Sequence, residues 1–250
     1  MHRLRKRRTN SMNRVLTSNI WRSLLFCSLL WFSALGSIWA IDPNKQISQY
    51  AHTAWRLKDG ALSGTPNAIS QTTDGYLWIG TQSGLARFDG VRFVRWTPPD
   101  GMHLPSNNVT SLLGASDGSL WIGMVGGLSR WNKQILTHYR IKQERVNSII
   151  EARNGTIWFT RTQGNDADGP LCRVLEEKTK CYGKGEGIPA SAGAAPLMED
   201  ILGNFWIGGA AEVVSWKLGS SHTFTSRGLK SKEGIDGVTG LAASPGALCG

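Results

Sequence analysis

The chain has 250 residues and a formal net charge of +10, from 28 Lys+Arg against 18 Asp+Glu. Seven of the basic residues and none of the acidic ones precede residue 41, so the remainder holds 21 basic against 18 acidic residues, a net of +3. The basicity therefore belongs to the amino terminus and gives no ground for nucleic-acid binding.

That terminus reads as an export segment. Arg3, Arg5, Lys6, Arg7, Arg8 and Arg14 form a positive region, and an uncharged apolar stretch runs from Leu24 to Ala40. Small residues near its end offer cleavage after Ala40 or Gly36. The stretch also lies at the lower limit of a membrane span, so residues 1–40 are expected to be a signal peptide or an N-terminal membrane anchor. Either form gives the rest a periplasmic or otherwise extracytoplasmic location. Phe26 before Cys27 argues against lipidation of that cysteine.

Beyond it, Tyr50–Leu57 has strand character, and then one phrase is written four times. It reads Asp74-Gly75-Tyr76-Leu77-Trp78-Ile79-Gly80, Asp117-Gly118-Ser119-Leu120-Trp121-Ile122-Gly123, Asn154-Gly155-Thr156-Ile157-Trp158-Phe159-Thr160 and Leu202-Gly203-Asn204-Phe205-Trp206-Ile207-Gly208. The tryptophans are 43, 37 and 48 residues apart. In the second unit Val109–Leu113 is a short apolar β-prone run, and Asp117-Gly118 is the composition of a tight hairpin with both central residues at positive φ. Ser119–Ile122 is a second strand, Gly126-Gly127 a second turn, Leu128–Trp131 a third strand and Ile135–Tyr139 a fourth. Four strands in such a period are the signature of a β-propeller blade.

The expected fold is thus all-β: an incomplete propeller of four-stranded blades spanning residues 41–250. The blades are placed at about 67–96, 109–139, 146–182 and 196–225, and a fifth starts within 238–250. Asp59-Gly60, Asp100-Gly101, Glu186-Gly187 and Glu233-Gly234 mark passages between blades, whereas Arg140–Arg145 leads straight into the third. Cys249 falls where the fifth tryptophan is expected. Four and a half blades leave open edges, so the chain is expected to be the front part of a longer protein and poorly soluble alone.

Trp78, Trp121, Trp158 and Trp206 are expected to pack between neighbouring blades, with Gly75, Gly118 and Gly155 in the preceding turns. A buried Trp covers roughly 150–250 Å² and stabilises by several kcal/mol before entropy is counted. Trp96, Trp131 and Trp216 lie on later strands and could instead be surface aromatics. Cys172 and Cys181 flank a predicted hairpin turning near Glu177-Lys178, and an oxidising compartment allows a cross-strand disulfide.

Catalytic and metal-binding motifs are missing. The cysteines form no CxxC, no histidine stands at zinc-ligand spacing, and HExxH does not occur. His52, His103, His138 and His222 are scattered over different units. Gly183–Gly187 lacks the ending of a phosphate loop and is expected to be a blade passage, and Asn165–Gly169 lacks the distal Glu of a calcium site and is expected to be an inserted surface loop of the third blade. Asn108-Val109-Thr110 fits a glycosylation sequon weakly. No catalytic residue, cofactor or metal is assigned, and the ligand-binding residues are unknown.

The pattern [DN]-G-x-[LI]-W-[IF]-[GT] followed by G-[GL]-x-R-[WF] resembles the two-component regulator propeller repeat. Gly84-Leu85-Ala86-Arg87-Phe88 and Gly127-Leu128-Ser129-Arg130-Trp131 carry it best, and the opening Ile47–Tyr50, Trp55 and Asp59-Gly60 resembles the first repeat of such proteins. The resemblance covers about residues 45–250. It implies the extracytoplasmic ligand-sensing region of a bacterial hybrid or sensor histidine kinase, non-catalytic in itself and truncated before any kinase domain. The implied partners are a small-molecule ligand such as an oligosaccharide, the remaining blades and the downstream signalling domains. A non-signalling interaction or scaffold propeller is the competing reading. The third unit is also similar to the repeat of streptogramin lyase propellers, but no clustered His, Glu and Mg²⁺ site can be assembled from these histidines.

Overall fold

The computed structural model describes residues 54–60, 62–99, 101–162, 169–194, 196–209, 212–225 and 240–242. Export segment, sequon-free opening Ile47–Thr53, Glu233-Gly234 and Cys249 lie outside them. All strands belong to one unit, 55–250. The first blade is β1 (Pro66–Gln71), β2 (Leu77–Thr81), β3 (Gly84–Phe88) and β4 (Phe93–Trp96), paired antiparallel in that order. The last is β11 (Leu197–Glu199), β12 (Phe205–Gly208), β13 (Glu212–Lys217) and β14 (Ser220–Thr225), paired likewise. Of the fifth unit only 240–242 is described, and it carries no strand.

Between them lies one six-membered sheet of β5 (Val109–Gly114), β6 (Leu120–Asn132), β7 (Ile135–Glu151), β8 (Ile157–Arg161), β9 (Leu171–Leu175) and β10 (Lys178–Tyr182). It holds two blades, because β6 and β7 each serve twice. In an extended strand nine residues span about 30 Å. Yet the Arg130 guanidinium lies 5.6 Å from the Trp121 ring. The chain therefore reverses within β6, at Gly126 with φ +96. Likewise β7 pairs with β6 up to Arg140 and again at Arg145, opposite Val125, and with β8 from Val146 onward. It is the outer strand of the second blade and the inner strand of the third. The direct passage through residues 141–145 lets one strand do both.

Each Trp-bearing phrase opens with the same five-residue turn. Its fourth residue, Gly75, Gly118, Gly155 or Gly203, donates its N–H to the carbonyl three residues back and has φ between +78 and +88. Only the glycine is left-handed. Asp117 is not, contrary to the tight two-residue hairpin expected; it accepts instead from the Ser119 N–H at 2.9 Å. The loop is a three-residue type, with the glycine in its αL place.

The acid-Gly pairs also have a physical reason. Leu57–Asp59 and Lys184–Glu186 are single 3-10 turns, each stopped by a left-handed glycine, Gly60 or Gly187. Residues 54–57 form no strand, contrary to expectation. Trp55 instead packs edge-on against Phe88 and Phe93.

Three apolar clusters hold the blades together, one at each joint. Trp78 and Leu85 meet Val109, Leu120, Ile122 and Met124 of the second blade. Trp121, Leu128 and Tyr139 meet Ile149, Ile157 and Phe159 of the third. Trp158, Leu171 and Tyr182 meet Leu197, Phe205, Ile207 and Trp216 of the fourth. The glycine closing the phrase makes room for this approach: a Cβ on Gly80 would strike Val109, and one on Gly123 would strike Ser111 and Val146.

Candidate functional site

Successive strands alternate direction, so the passages between blades and the connections from second to third strand open at the same end of every blade. The phrase turns and the connections from third to fourth strand lie at the opposite end. At the turn end, side chains bind blade to blade. The Glu151 carboxylate accepts from the Ser116 N–H at 2.7 Å and from the Ser116 hydroxyl. Glu199 accepts from the Arg153 N–H at 2.8 Å. Both acids end an inner strand and clasp the phrase turn of the preceding blade. The residue at that place in the first blade is Gln71, whose amide donates to its own turn at Gly75.

Asp200 sits in the fourth turn two places earlier than Asp74 or Asp117 do in theirs. Burial alone would raise its carboxyl, but donors from Trp206, the Asn204 side chain and the Asn204 and Leu202 N–H groups outweigh that and hold it at about 2. Asp117 is likewise lowered, its Ser119 and Arg130 donors overcoming burial.

The passage end carries different chemistry. Arg161 ends β8 where Thr81 and Met124 stand in the earlier blades. Its side chain is 5% exposed, and Nη1 lies 2.8 Å from the Glu144 carboxylate, itself 9% exposed. Nε donates to the Gly169 carbonyl at 3.0 Å, and Nη2 has no hydrogen-bond partner among the described residues. Just above, Asn147 Nδ2 donates to the Thr162 hydroxyl at 3.0 Å, the Thr162 N–H donates to the Arg145 carbonyl, and Arg145 is exposed. Sequence reasoning missed this group. Its one signal was a charged residue ending the apolar run Ile157-Trp158-Phe159-Thr160.

Trp78, Trp121 and Trp158 are 4–6% exposed and lie in the joints, while Trp206 is half-buried against Phe224. Gly75, Gly118 and Gly155 occupy the phrase turns. Cys172 and Cys181 face each other across β9 and β10 and are joined by a disulfide. The intervening turn is at Glu176-Glu177, one residue earlier than read. Trp216 is 2% exposed, and Trp96 and Trp131 are half-buried, edge-on to one another at 5.2 Å. Thr110 of the sequon is buried, with its hydroxyl on the Val146 carbonyl.

Among the described residues His103 lies near His138 while His222 stands on β14, and no reacting centre is formed; His52 lies outside them. His138 Nδ1 lies 2.8 Å from the Ser129 hydroxyl, but Ser129 is fully buried. Burial and then the nearby His103 push the His138 imidazole down. Among the described residues no three His, Cys, Asp or Glu side chains converge on a metal position, and no helix is long and apolar enough to cross a membrane.

Residues 103–126, from the passage through the second phrase, match the family model for the two component regulator propeller. The chain carries a two-component regulator propeller repeat. No curated protein matches the chain. Among solved structures it is similar to virginiamycin B lyase of Staphylococcus aureus, with 19% identity and TM-score 0.53 over 65% of this chain and 56% of that one. It is also similar to the extracellular domain of a B. thetaiotaomicron protein assigned to the hybrid two component systems, with 23% identity and TM-score 0.51 over 64% of this chain and 23% of that one. A second such B. thetaiotaomicron domain gives 16% identity and TM-score 0.51 over 69% and 23%. At these identities the likeness is one of fold. The chain spans little more than half of the lyase and under a quarter of either extracellular domain. A regulator propeller repeat on blades of this kind is the combination found here.

Proposed function

We propose that the chain is the ligand-sensing propeller region of an extracytoplasmic two-component sensor. The observation that carries the reading is the regulator propeller repeat at 103–126, whose Trp-bearing phrase recurs in four blades and packs in the joints of three of them. Because the repeated residues are taken up by packing, recognition falls to the loops that differ between blades. Those at the passage end differ most. The one through 141–145 is a continuous strand, and the one through 183–196 holds two 3-10 turns, Lys184–Glu186 and Ala190–Ala194.

The region around Arg145, Asn147, Arg161 and Thr162 supports an oligosaccharide as ligand, since amide, hydroxyl and guanidinium donors match sugar hydroxyls. In this reading the region is exported by residues 1–40, binds without catalysing a reaction, and transmits occupancy through further blades to downstream signalling domains. Cleavage of a cyclic depsipeptide by a lyase-type site has only the fold likeness in its favour.

The test is calorimetric titration of the full chain with a panel of neutral and acidic oligosaccharides, alongside an Mg²⁺-dependent lyase assay. Saturable binding that Arg145→Ala weakens by about tenfold or more, roughly 1.4 kcal/mol, supports the reading. Turnover in the lyase assay, or binding unaffected by Arg145→Ala, contradicts it.

A further inference from the structure

The third blade departs from the others at one place. Residues opposite one another in an antiparallel pair share a face, so Trp158, Arg173 and Lys180 form one row across β8, β9 and β10. Lys178, two residues from Lys180, lies on the same face. That face is turned toward the fourth blade, since Trp158 and Tyr182 pack there. In the other blades the arginine of the row has no cation opposite it. Arg87 faces Val94 and rests on the Tyr76 ring at 4.2 Å. Arg130 faces Thr137 and is paired with Asp117. In the third blade Asn154 stands where Asp117 does, and Lys180 stands where Val94 and Thr137 do.

Two cations therefore converge on one ring. The Arg173 guanidinium lies 5.7 Å and Lys180 Nζ 5.4 Å from the Tyr182 centroid, and Arg173 is also 5.8 Å from the Trp158 ring. Arg173 is half-buried, while Lys178 and Lys180 are exposed. As in Arg130, Nε of Arg173 is buried with no hydrogen-bond partner, but here no carboxylate offsets it. None of the three cations forms an ion pair among the described residues. The acids of the adjoining passage and blade are engaged elsewhere. Glu186 accepts from the Gly183 N–H, Glu199 from the Arg153 N–H, Glu212 from the Ser191 hydroxyl, and Asp200 from its own turn. The turn Glu176-Glu177 is drawn to the other side, where Tyr139 of the second blade donates to the Glu176 carbonyl at 3.2 Å. Like charges directly opposite in a sheet cost stability, and the ring faces offset only part of that cost.

We propose that Arg173 and Lys180 are the two arms of an anion-binding site that takes a phosphate group. A tetrahedral dianion supplies the two negative charges that the row lacks, and its oxygens suit the planar guanidinium fork and the ammonium together. A carboxylate neutralises only one of the two. Lys178 adds a third positive charge beside them. The rings under Arg173 hold its side chain in place, which lowers the ordering cost of binding. Arg161 is an odd number of residues from Trp158 on β8 and so lies on the opposite face of the blade. The anion site is thus separate from the region around Arg161 and stands independently of the sensing role.

The experiment is calorimetric titration of the full chain with inorganic phosphate, glucose 6-phosphate and glucose, at an ionic strength held constant with chloride. Thermal unfolding is followed with and without phosphate. The variants are Lys180→Gln, Arg173→Gln and, as a charge control, Lys133→Gln at an exposed lysine of the second blade. The expected result is saturable binding of one phosphate, weakened by about tenfold or more in Lys180→Gln and in Arg173→Gln and unchanged in Lys133→Gln. Equal binding of the inorganic and ester forms means that the anion itself is recognised, and tighter binding of the ester means that it arrives on a larger molecule. Without phosphate, Lys180→Gln should be at least as stable as the wild type, because the like-charge contact is gone, and it should lose the stabilisation that phosphate gives. No saturable binding of either phosphate at millimolar concentration overturns the proposal. So does Lys180→Gln binding as the wild type does, an equal loss in Lys133→Gln, binding of glucose as tight as that of its phosphate, or a Lys180→Gln chain less stable than the wild type without phosphate, since the row would then be balanced within the fold.

Discussion

Trp158 and Trp206 hold the same place in consecutive blades, yet one is 6% exposed and the other half-buried. Trp158 is enclosed by Phe205, Trp216 and Tyr182, with ring centroids 4.5–5.9 Å away, whereas among the described residues Trp206 stacks on Phe224 alone. The phrase is therefore not a self-sufficient motif. Its Trp becomes core only when the next blade supplies the two apolar residues that flank its own Trp. A blade is half a core, and the interior joints, not the sheets, carry the stability of this architecture.

The comparison breaks most visibly by truncating the two tryptophans. Trp158→Ala should cost about 3–5 kcal/mol in urea unfolding, and Trp206→Ala less than half as much. Equal losses would mean that Trp206 is already part of a closed joint. Next comes the Glu144–Arg161 pair at the second joint. Glu144→Ala leaves a buried guanidinium uncompensated and should cost about 3–5 kcal/mol, while the double change Glu144→Leu with Arg161→Met should recover most of it. The readout is the double-mutant coupling energy.

A smaller effect is the pH dependence of the fourth turn. Asp200 is held at about 2, below its ordinary 3.8, so the unfolded chain takes up its proton first. Its contribution is full above about pH 5 and is lost as pH falls through 3.8 toward 2. Because Asp200 is only half-buried, solvent screening should keep the effect below about 1 kcal/mol, and Asp200→Asn should flatten that part of the acid limb in a stability-against-pH series. The smallest change lies away from the joints. Lys133 and Gln134 both adopt left-handed φ, +47 and +69. Gln134→Gly relieves a strain of about 1–2 kcal/mol against a flexibility cost of about 0.5–1, so a net gain of about 0.5 kcal/mol is expected in thermal unfolding.

The fold class was legible because the joint residues recur at one period. Trp78, Trp121, Trp158 and Trp206 announce the blades, and the 37-residue spacing announces the direct passage that β7 makes through residues 141–145. Turn detail was less legible. Asp117-Gly118 has the composition of a two-residue hairpin, and only the hydrogen bond from Gly118 to the Ala115 carbonyl reveals the longer loop. In the fourth unit the acid moved to Asp200, outside the phrase, where the repeat gives no reason to look. The Glu144–Arg161 pair was hidden for another reason. Its partners stand 17 residues apart in sequence, on a passage and a strand end that only the blade geometry brings together. The turn clasps of Glu151 and Glu199 were hidden likewise, since each acts across a joint on the preceding blade.

The central claim is that enclosure by the following blade, not the phrase itself, makes each unit rigid. Native-state hydrogen exchange of the full chain tests it most directly. The amides of Trp121–Gly123 and Trp158–Thr160 should exchange together, at a free energy equal to that of global unfolding, while those of Trp206–Gly208 should exchange through a smaller local opening. Each of the three segments exchanging at its own separate free energy would contradict the account, because the blades would then be stable one by one.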